Sequence, residues 1–286
     1  MMRKKPMLAY PVSDKPIDYT QPVFMQPKLD GVRCLIQAEK LPFDMGYEPV
    51  AYSRTGKQWL NIEHILQGLK PFFQANPNVI LDGELYNHDL KDDFEQIISC
   101  VRKTKPTEEH RAQSKELVQF HCYDIVDEDA VFDWRADFIG DELEESYCVK
   151  HVMTTYNIDS EKQAKDIHQA NLNKGYEGSI VRLNDTYQCK RSHSLRKFKD
   201  FHDAEATLTS WVEGKGKRVG TIGKFIAVDA DGNEFGMPVM DNFKKLQTMF
   251  KEMQSWVGKE ATFTYFERTK AGSYRHPLFK AIRDYE

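Results

Sequence analysis

The chain has 286 residues, 40% of them hydrophobic and 29% charged, with a formal net charge of −4, the composition of an ordinary globular protein with room for two domains. No apolar run approaches the roughly 20 residues that span a bilayer, and no apolar stretch of signal-peptide length follows the basic start MMRKKPMLAYPVSDKP. Cys34, Cys100, Cys122, Cys148 and Cys189 form no C-x-x-C pair and lie beside no histidine at zinc spacing, so reduced thiols in a cytoplasm are expected and a structural zinc is not.

In chain order, residues 24–36 (FMQPKLDGVRCLI) read as strand through Phe24, Met25, Leu29, Val32, Cys34, Leu35 and Ile36, yet a Lys-x-Asp-Gly-x-Arg run interrupts them. Residues 58–70 predict a helix, with Asn61 as its cap and Ile62, Ile65, Leu66 and Leu69 at helical spacing. Residues 79–86 predict a strand, 92–103 a helix, 117–126 a strand, and 160–175 a helix closed by Gly175. EGSIVRL and SLRKFKDF read as short strands. Strands and helices mix without a βαβ beat, so the expected fold class is α+β, with mixed or antiparallel sheets and flanking helices. From residue 205 to 239, β-rich segments alternate with Gly-rich turns; a helix over 241–259 and a strand over 259–269 follow. This texture fits a small barrel of the oligonucleotide-binding (OB) type.

Charge is unevenly distributed. Acids dominate residues 82–145, whereas residues 182–224 hold ten Lys/Arg against five Asp/Glu. Such a chain can turn a basic face to a polyanion while its acidic face stays in water. Lys28 alone fits a strand-edge lysine as well as a nucleophile, and a lysine amine attacks only when neutral, which requires burial or neighbouring cations. Lys197 and Lys199 alternate with period two, so both point to one face of a strand.

The run at 28–33 is followed in order by SRTG (53–56), LDGEL (81–85), FHCYDIV (120–126), EGSIVR (177–182), RKFK (196–199) and DAEAT (203–207). This series resembles the motifs of the covalent nucleotidyltransferases, which include DNA ligases, RNA ligases and mRNA-capping enzymes. EGSIVR, together with Asp30 and Arg33, resembles the ATP-dependent DNA ligases in particular, and GKGKRVGTIGKF and SYRHPLFKAIRD are similar to their barrel segments. The resemblance implies an adenylation domain over 1–201 and an OB-fold domain over 202–286, a minimal arrangement of the viral and phage kind. It implies ATP and Mg²⁺ (or Mn²⁺) as cofactors and nicked duplex DNA as partner. A monomer without membrane contact is expected, in the host-cell cytoplasm if the source is viral. The alternatives are an RNA ligase or capping-type enzyme, and an inactive oligonucleotide-binding protein.

The same resemblance implies roles. Lys28 takes AMP from ATP, while Lys197 and Lys199 hold the α-phosphate and lower the pKa of Lys28 by like-charge repulsion. Glu177 holds the metal, and Glu84 accepts from the ribose or assists the metal. Phe120 stacks on adenine with Ile180 on its other face, although a strand Phe taken alone is more often core. Gln26 reads the adenine edge. Asp30 and Arg33 lie at the reacting strand ends and the ribose. Arg54 and Arg191 bind the 5′-phosphate of the nick. Lys215, Lys217, Arg218 and Lys224 grip duplex phosphates. Arg283, with Lys280 and Arg275, orients pyrophosphate within a C-terminal motif, where Tyr285 and Glu286 follow Asp284 in place of the family's usual basic residue.

Overall fold

β1 (Leu8–Pro11) precedes the Lys-x-Asp-Gly-x-Arg run, which falls across the turn between β2 (Val23–Lys28) and β3 (Val32–Lys40) in the computed structural model. The structure describes residues 4–91, 93–199, 201–269 and 272–283. Lys28 therefore ends one strand and Arg33 lies near the start of the next. A Cβ on Gly31 would sit 2.5 Å from the Leu85 carbonyl and 2.6 Å from Glu84 Cγ, so only glycine lets this turn lie against the strand that carries Glu84. The chain continues through β4 (Tyr47–Tyr52), α1 (Glu63–Ala75), β5 (Ile80–Tyr86), α2 (Phe94–Val101), α3 (Glu108–Leu117) and β6 (Gln119–Ile125). Then come α4 (Phe132–Glu142), β7 (Val149–His151), α5 (Glu161–Asn173), β8 (Gly178–Leu183) and β9 (Arg191–Phe198).

Several boundaries differ from the sequence expectation for identifiable reasons. Asn61 does not cap α1: its amide donates to the Cys100 and His110 carbonyls, both at 3.0 Å, and ties the ends of α2 and α3 to the start of α1. The sequence offers no apolar stripe for α3, whose one buried residue is Ser114; its start is held instead by a Thr107–His110 capping box. The helix expected over 160–175 is α5, capped by Ser160 accepting from the Gln163 N–H at 3.3 Å.

The chain divides into two compact units, residues 1–199 and 200–286. The first holds a four-stranded sheet, order β1-β9-β8-β2, and a five-stranded sheet, order β4-β3-β5-β6-β7. Pairing is antiparallel except for β1–β9 and β6–β7, as an α+β fold requires. One face of the five-stranded sheet buries Cys34, Ile36, Leu85, Phe120 and Cys122 in a cluster with Ile65, Leu69 and Phe73 of α1 and Ile97 of α2. One face of the four-stranded sheet buries Val23, Met25 and Val181 with Ala164 of α5. The second faces carry polar residues, and these residues meet.

The second unit holds β10 (His202–Glu213), β11 (Ile222–Val228), β12 (Glu234–Pro238), α6 (Phe243–Lys251), β13 (Glu260–Tyr265) and β14 (Leu278–Ile282). Its antiparallel sheet runs β12-β11-β10-β13-β14 around Phe225, Met237, Leu246 and Phe263. β12 and β14 approach each other without pairing, so the sheet curls but does not close into a hydrogen-bonded ring among the described residues. The helix expected over 241–259 ends at Lys251 and gives way to a 3₁₀ turn, Met253–Trp256.

Candidate active site

Alternation puts Gln26 and Lys28 on one face of β2, with Ile180 and Gly178 opposite them on β8. Lys197 pairs with Ile180 across β9, and Lys199 follows two residues later, so the polar face of the four-stranded sheet gathers Gln26, Lys28, Ile180, Lys197 and Lys199. The Glu177 N–H donates to the Lys28 carbonyl at 3.1 Å. Its carboxylate accepts from both Lys28 and Lys199. Gly178 has φ +148°, and a Cβ there would lie 2.3 Å from the Phe198 carbonyl, so the Glu-Gly pair is what lets β8 begin tight against β9.

The five-stranded sheet supplies the opposing groups. Arg33 and Glu84 are directly opposed across β3 and β5. The Tyr123 hydroxyl donates to Glu84 Oε2 at 3.2 Å. Burial pushes the Glu84 carboxyl up to about 7, against the pull of the Arg33 and Lys28 charges. Burial, and then the charges of Lys28 and Arg191, hold the Lys197 amine below the usual lysine range. Asp82, fully buried, accepts from Arg33 Nε at 2.6 Å and from the Tyr187 hydroxyl at 2.6 Å. Asp124 accepts from Arg135 Nε at 2.7 Å and Arg182 Nη1 at 2.5 Å, so these buried carboxylates are paired as burial demands.

One expectation is corrected. Phe120 does not stack on a ligand: it pairs with Leu85 on the helix-facing side, fully buried, and a Cβ on Gly83 would lie 2.5 Å from its ring. Tyr123 takes the position at the site. Odd spacing from Phe120 puts Tyr123 on the opposite face, and a bulge in β6, which sets Asp82 opposite Asp124 but Gly83 opposite Cys122, leaves Tyr123 as the extra residue and brings Asp124 onto its face. The guanidinium of Arg33 is held by Asp82 and also donates to the Met7 carbonyl at 3.2 Å, and Arg33 lines the same cleft as Glu84. The guanidinium of Arg191 lies on the Ala9 carbonyl and over the Tyr10 ring, with its charge acting on Lys197. Its neighbour Lys190 lines a cleft of about 460 Å³ with Lys4, Lys5 and Arg54. Arg54 also lines a cleft of about 750 Å³ that reaches Glu84 and Arg33, walled by Lys57, Arg102 and Lys103.

Asp30 is half-buried in the turn after Lys28. In the second unit Lys215, Lys217 and Arg218 stand exposed around the Gly216–Arg218 turn, and Lys224 is half-buried. Lys280 pairs with Asp203 at 2.6 Å, Arg283 with Glu205 at 2.5 Å, and Arg275 with Glu267; Asp284, Tyr285 and Glu286 lie outside the described residues. Sequence reasoning missed Tyr123, Asp82, Arg182 and Tyr187. Tyr123 sat in the quoted FHCYDIV run, and period two there sets it on the face opposite Phe120; only the bulge that brings Asp124 onto the same face leaves no mark in a strand-period pattern.

Among the described residues no three His, Cys, Asp or Glu side chains converge into a metal-ligand group. Glu84 and Glu177, both beside Lys28, are hard oxygen donors. Two carboxylates suit Mg²⁺, which is bound by one or two of them together with phosphate oxygens and water. Among the described residues no helix is long and apolar enough to cross a membrane.

The family model described as ATP dependent DNA ligase domain matches residues 6–199. The DNA ligase of African swine fever virus (isolate Pig/Kenya/KEN-50/1950) is 29% identical over 217 residues, 72% of this chain and 48% of that protein. That of isolate Tick/Malawi/Lil 20-1/1983 is 28% identical over 183 residues, 60% of this chain and 41% of that protein. The chain thus spans roughly two-fifths to half the length of these curated relatives. Among solved structures, one from a structure–function study of Lig E DNA ligases is 23% identical, with a TM-score of 0.73, covering 99% of this chain and 100% of that one. The ATP-dependent DNA ligase from bacteriophage T7 in complex with ATP is 16% identical, with a TM-score of 0.55, covering 98% of both. At these identities the structural likeness shows a shared fold.

Proposed function

The chain belongs to the ATP-dependent DNA ligase family, and from that premise we propose that it seals nicks in duplex DNA through a lysyl-AMP intermediate on Lys28. One observation carries the reading: Lys28 and Lys199 converge on the carboxylate of Glu177, with Lys197 and Glu84 close enough to feel the Lys28 charge. Four segments of the sequence supply one nucleophile, two further cations and two carboxylates.

In the first step the Lys28 amine attacks the α-phosphorus of ATP; an N–P bond forms and the P–O bond to pyrophosphate breaks. Lys28 must first lose a proton, and Glu177, in direct contact, is the base at hand. Lys197 and Lys199 then face the α-phosphate oxygens, where positioning and charge neutralisation do most of the work of phosphoryl transfer. A divalent cation, held by Glu177 and Glu84, would add Lewis-acid stabilisation of the phosphate charge. In the second step an oxygen of the nick 5′-phosphate attacks the adenylate phosphorus and the lysine leaves, reprotonated. In the third the 3′-hydroxyl attacks the 5′-phosphorus and AMP leaves. The basic clefts on either side of Arg54 suit the phosphates of the broken strand. The curled sheet of the second unit is read as an OB-type domain whose Lys215, Lys217 and Arg218 contact duplex phosphates without reading sequence. The relatives matched are DNA ligases, which favours DNA over RNA ends.

Incubation with radiolabelled ATP and Mg²⁺ tests the reading. The protein gains one AMP at position 28, Lys28→Ala gains none, and the adduct chases onto a nicked duplex. Absence of any adduct, or transfer to RNA ends alone, rules it out.

A further inference from the structure

Gln26 is buried, yet it lines a cavity of about 180 Å³ together with Tyr123, Met153, Thr154 and Tyr156. It lies on the Lys28 face of β2, two residues before the nucleophile. Its hydrogen bonds leave its amide no choice of orientation. Arg182 Nε, which can only donate, lies 2.7 Å from Gln26 Oε1. The Tyr123 carbonyl, which can only accept, lies 3.1 Å from Gln26 Nε2, and Thr154 Oγ1 lies 3.0 Å from the same nitrogen. Both amide hydrogens are therefore engaged, and one of the two acceptor positions on the oxygen is filled. The capacity that remains is one acceptor.

We propose that Arg182 is a specificity-determining positioning residue, which together with the Tyr123 carbonyl locks the Gln26 amide so that it offers the nucleotide base an acceptor and no donor. The inference rests on the nucleotide reading above. An acceptor at this place pairs with an amino group at the 6-position of a purine, as in adenine. It repels the 6-carbonyl of guanine or hypoxanthine, which would leave two buried acceptors facing each other. Reversing the amide would set its NH₂ group against the Arg182 N–H. Arg182 cannot easily move away, because Nη1 donates to Asp124 Oδ2 at 2.5 Å and Arg135 holds the other oxygen of that carboxylate. A glutamine that could otherwise present either edge is thereby made to behave like a carboxylate.

Two measurements on the purified chain test this. Calorimetry in EDTA gives the Kd values for ATP and GTP without chemistry, and labelled nucleotides with Mg²⁺ give lysyl-nucleotide formation. The unmodified chain binds ATP in preference to GTP. Arg182→Met frees the amide to turn, and the preference falls roughly tenfold or more, chiefly through better GTP binding. Adding Gln26→Glu to Arg182→Met restores the preference, because a carboxylate accepts whichever way it lies; a general packing defect would not be rescued in this way. Arg182→Gln, whose amide can meet Gln26 in either orientation while Arg135 still pairs Asp124, decides the matter should Arg182→Met fail to fold. An unchanged ATP:GTP ratio in folded Arg182→Met or Arg182→Gln overturns the lock, as does a double variant that stays unselective. A ratio that shifts between the unmodified chain and the Arg182 variants, in a protein that forms no lysyl-AMP, overturns the proposed activity and leaves the lock standing.

Discussion

Phe120 and Tyr123 stand three residues apart on β6 and lie on opposite faces of the same sheet. On the helix side Phe120 joins Leu85, Cys34 and Ile36 in a dry cluster. On the other side Tyr123 meets Glu84, with the guanidinium of Arg33 5.1 Å from its ring centroid. The two faces share every hydrogen bond of the ladder, so the backbone does not distinguish them. Side-chain parity does, and the β6 bulge resets that parity where Tyr123 and Asp124 both turn toward the polar side. One face therefore holds the fold together, and the other places charge where phosphate is handled.

The sharpest way to break this comparison is to truncate both aromatics. Phe120→Ala removes a fully buried ring and should destabilise the protein by about 3–5 kcal/mol, read as a lower midpoint in urea. Nucleotide affinity in the folded fraction should be little changed. Tyr123→Ala should do the reverse: a small stability change, and ATP use weakened roughly tenfold to a hundredfold. Sealing of nicks that already carry AMP should suffer less. If Phe120→Ala lost ATP affinity and Tyr123→Ala did not, the assignment of faces would be wrong.

A smaller effect concerns Glu84, whose carboxyl burial raises from 4.5 to about 7. The sign follows from linkage: the native state holds this proton more tightly than the unfolded chain. The group's contribution therefore favours folding at low pH and is lost as pH rises from about 4.5 through 7. Catalysis runs the other way, because accepting from a ribose or holding a cation needs the ionised form. Between pH 6 and 7 the rate of lysyl-AMP formation should rise several-fold on this account. Glu84→Gln should flatten that limb and the matching fall in thermal stability. A variant that kept both slopes would remove Glu84 from the titration.

Much of this was legible from particular residues. Period two in RKFK put Lys197 and Lys199 on one face, and the same period put Gln26 with Lys28. The motif order from Lys28 to Lys199 indicated the family, and the apolar stripe of 58–70 indicated α1. The less legible elements were those without a one-dimensional signature: α3, with no apolar stripe, and the partner of Asp82, which is Arg33, 49 positions away.

By itself the sequence determined which chemistry-bearing side chains exist, their order, and which neighbours along a strand share a face. Those facts depend on backbone periodicity, which is local. Only the tertiary structure decided that Asp124 shares the face of Tyr123, that Arg33 belongs to Asp82, and that Glu177 lies between two lysines. A bulge, a buried ion pair and a shared carboxylate each depend on which strands become neighbours, and that is set by packing across the whole unit.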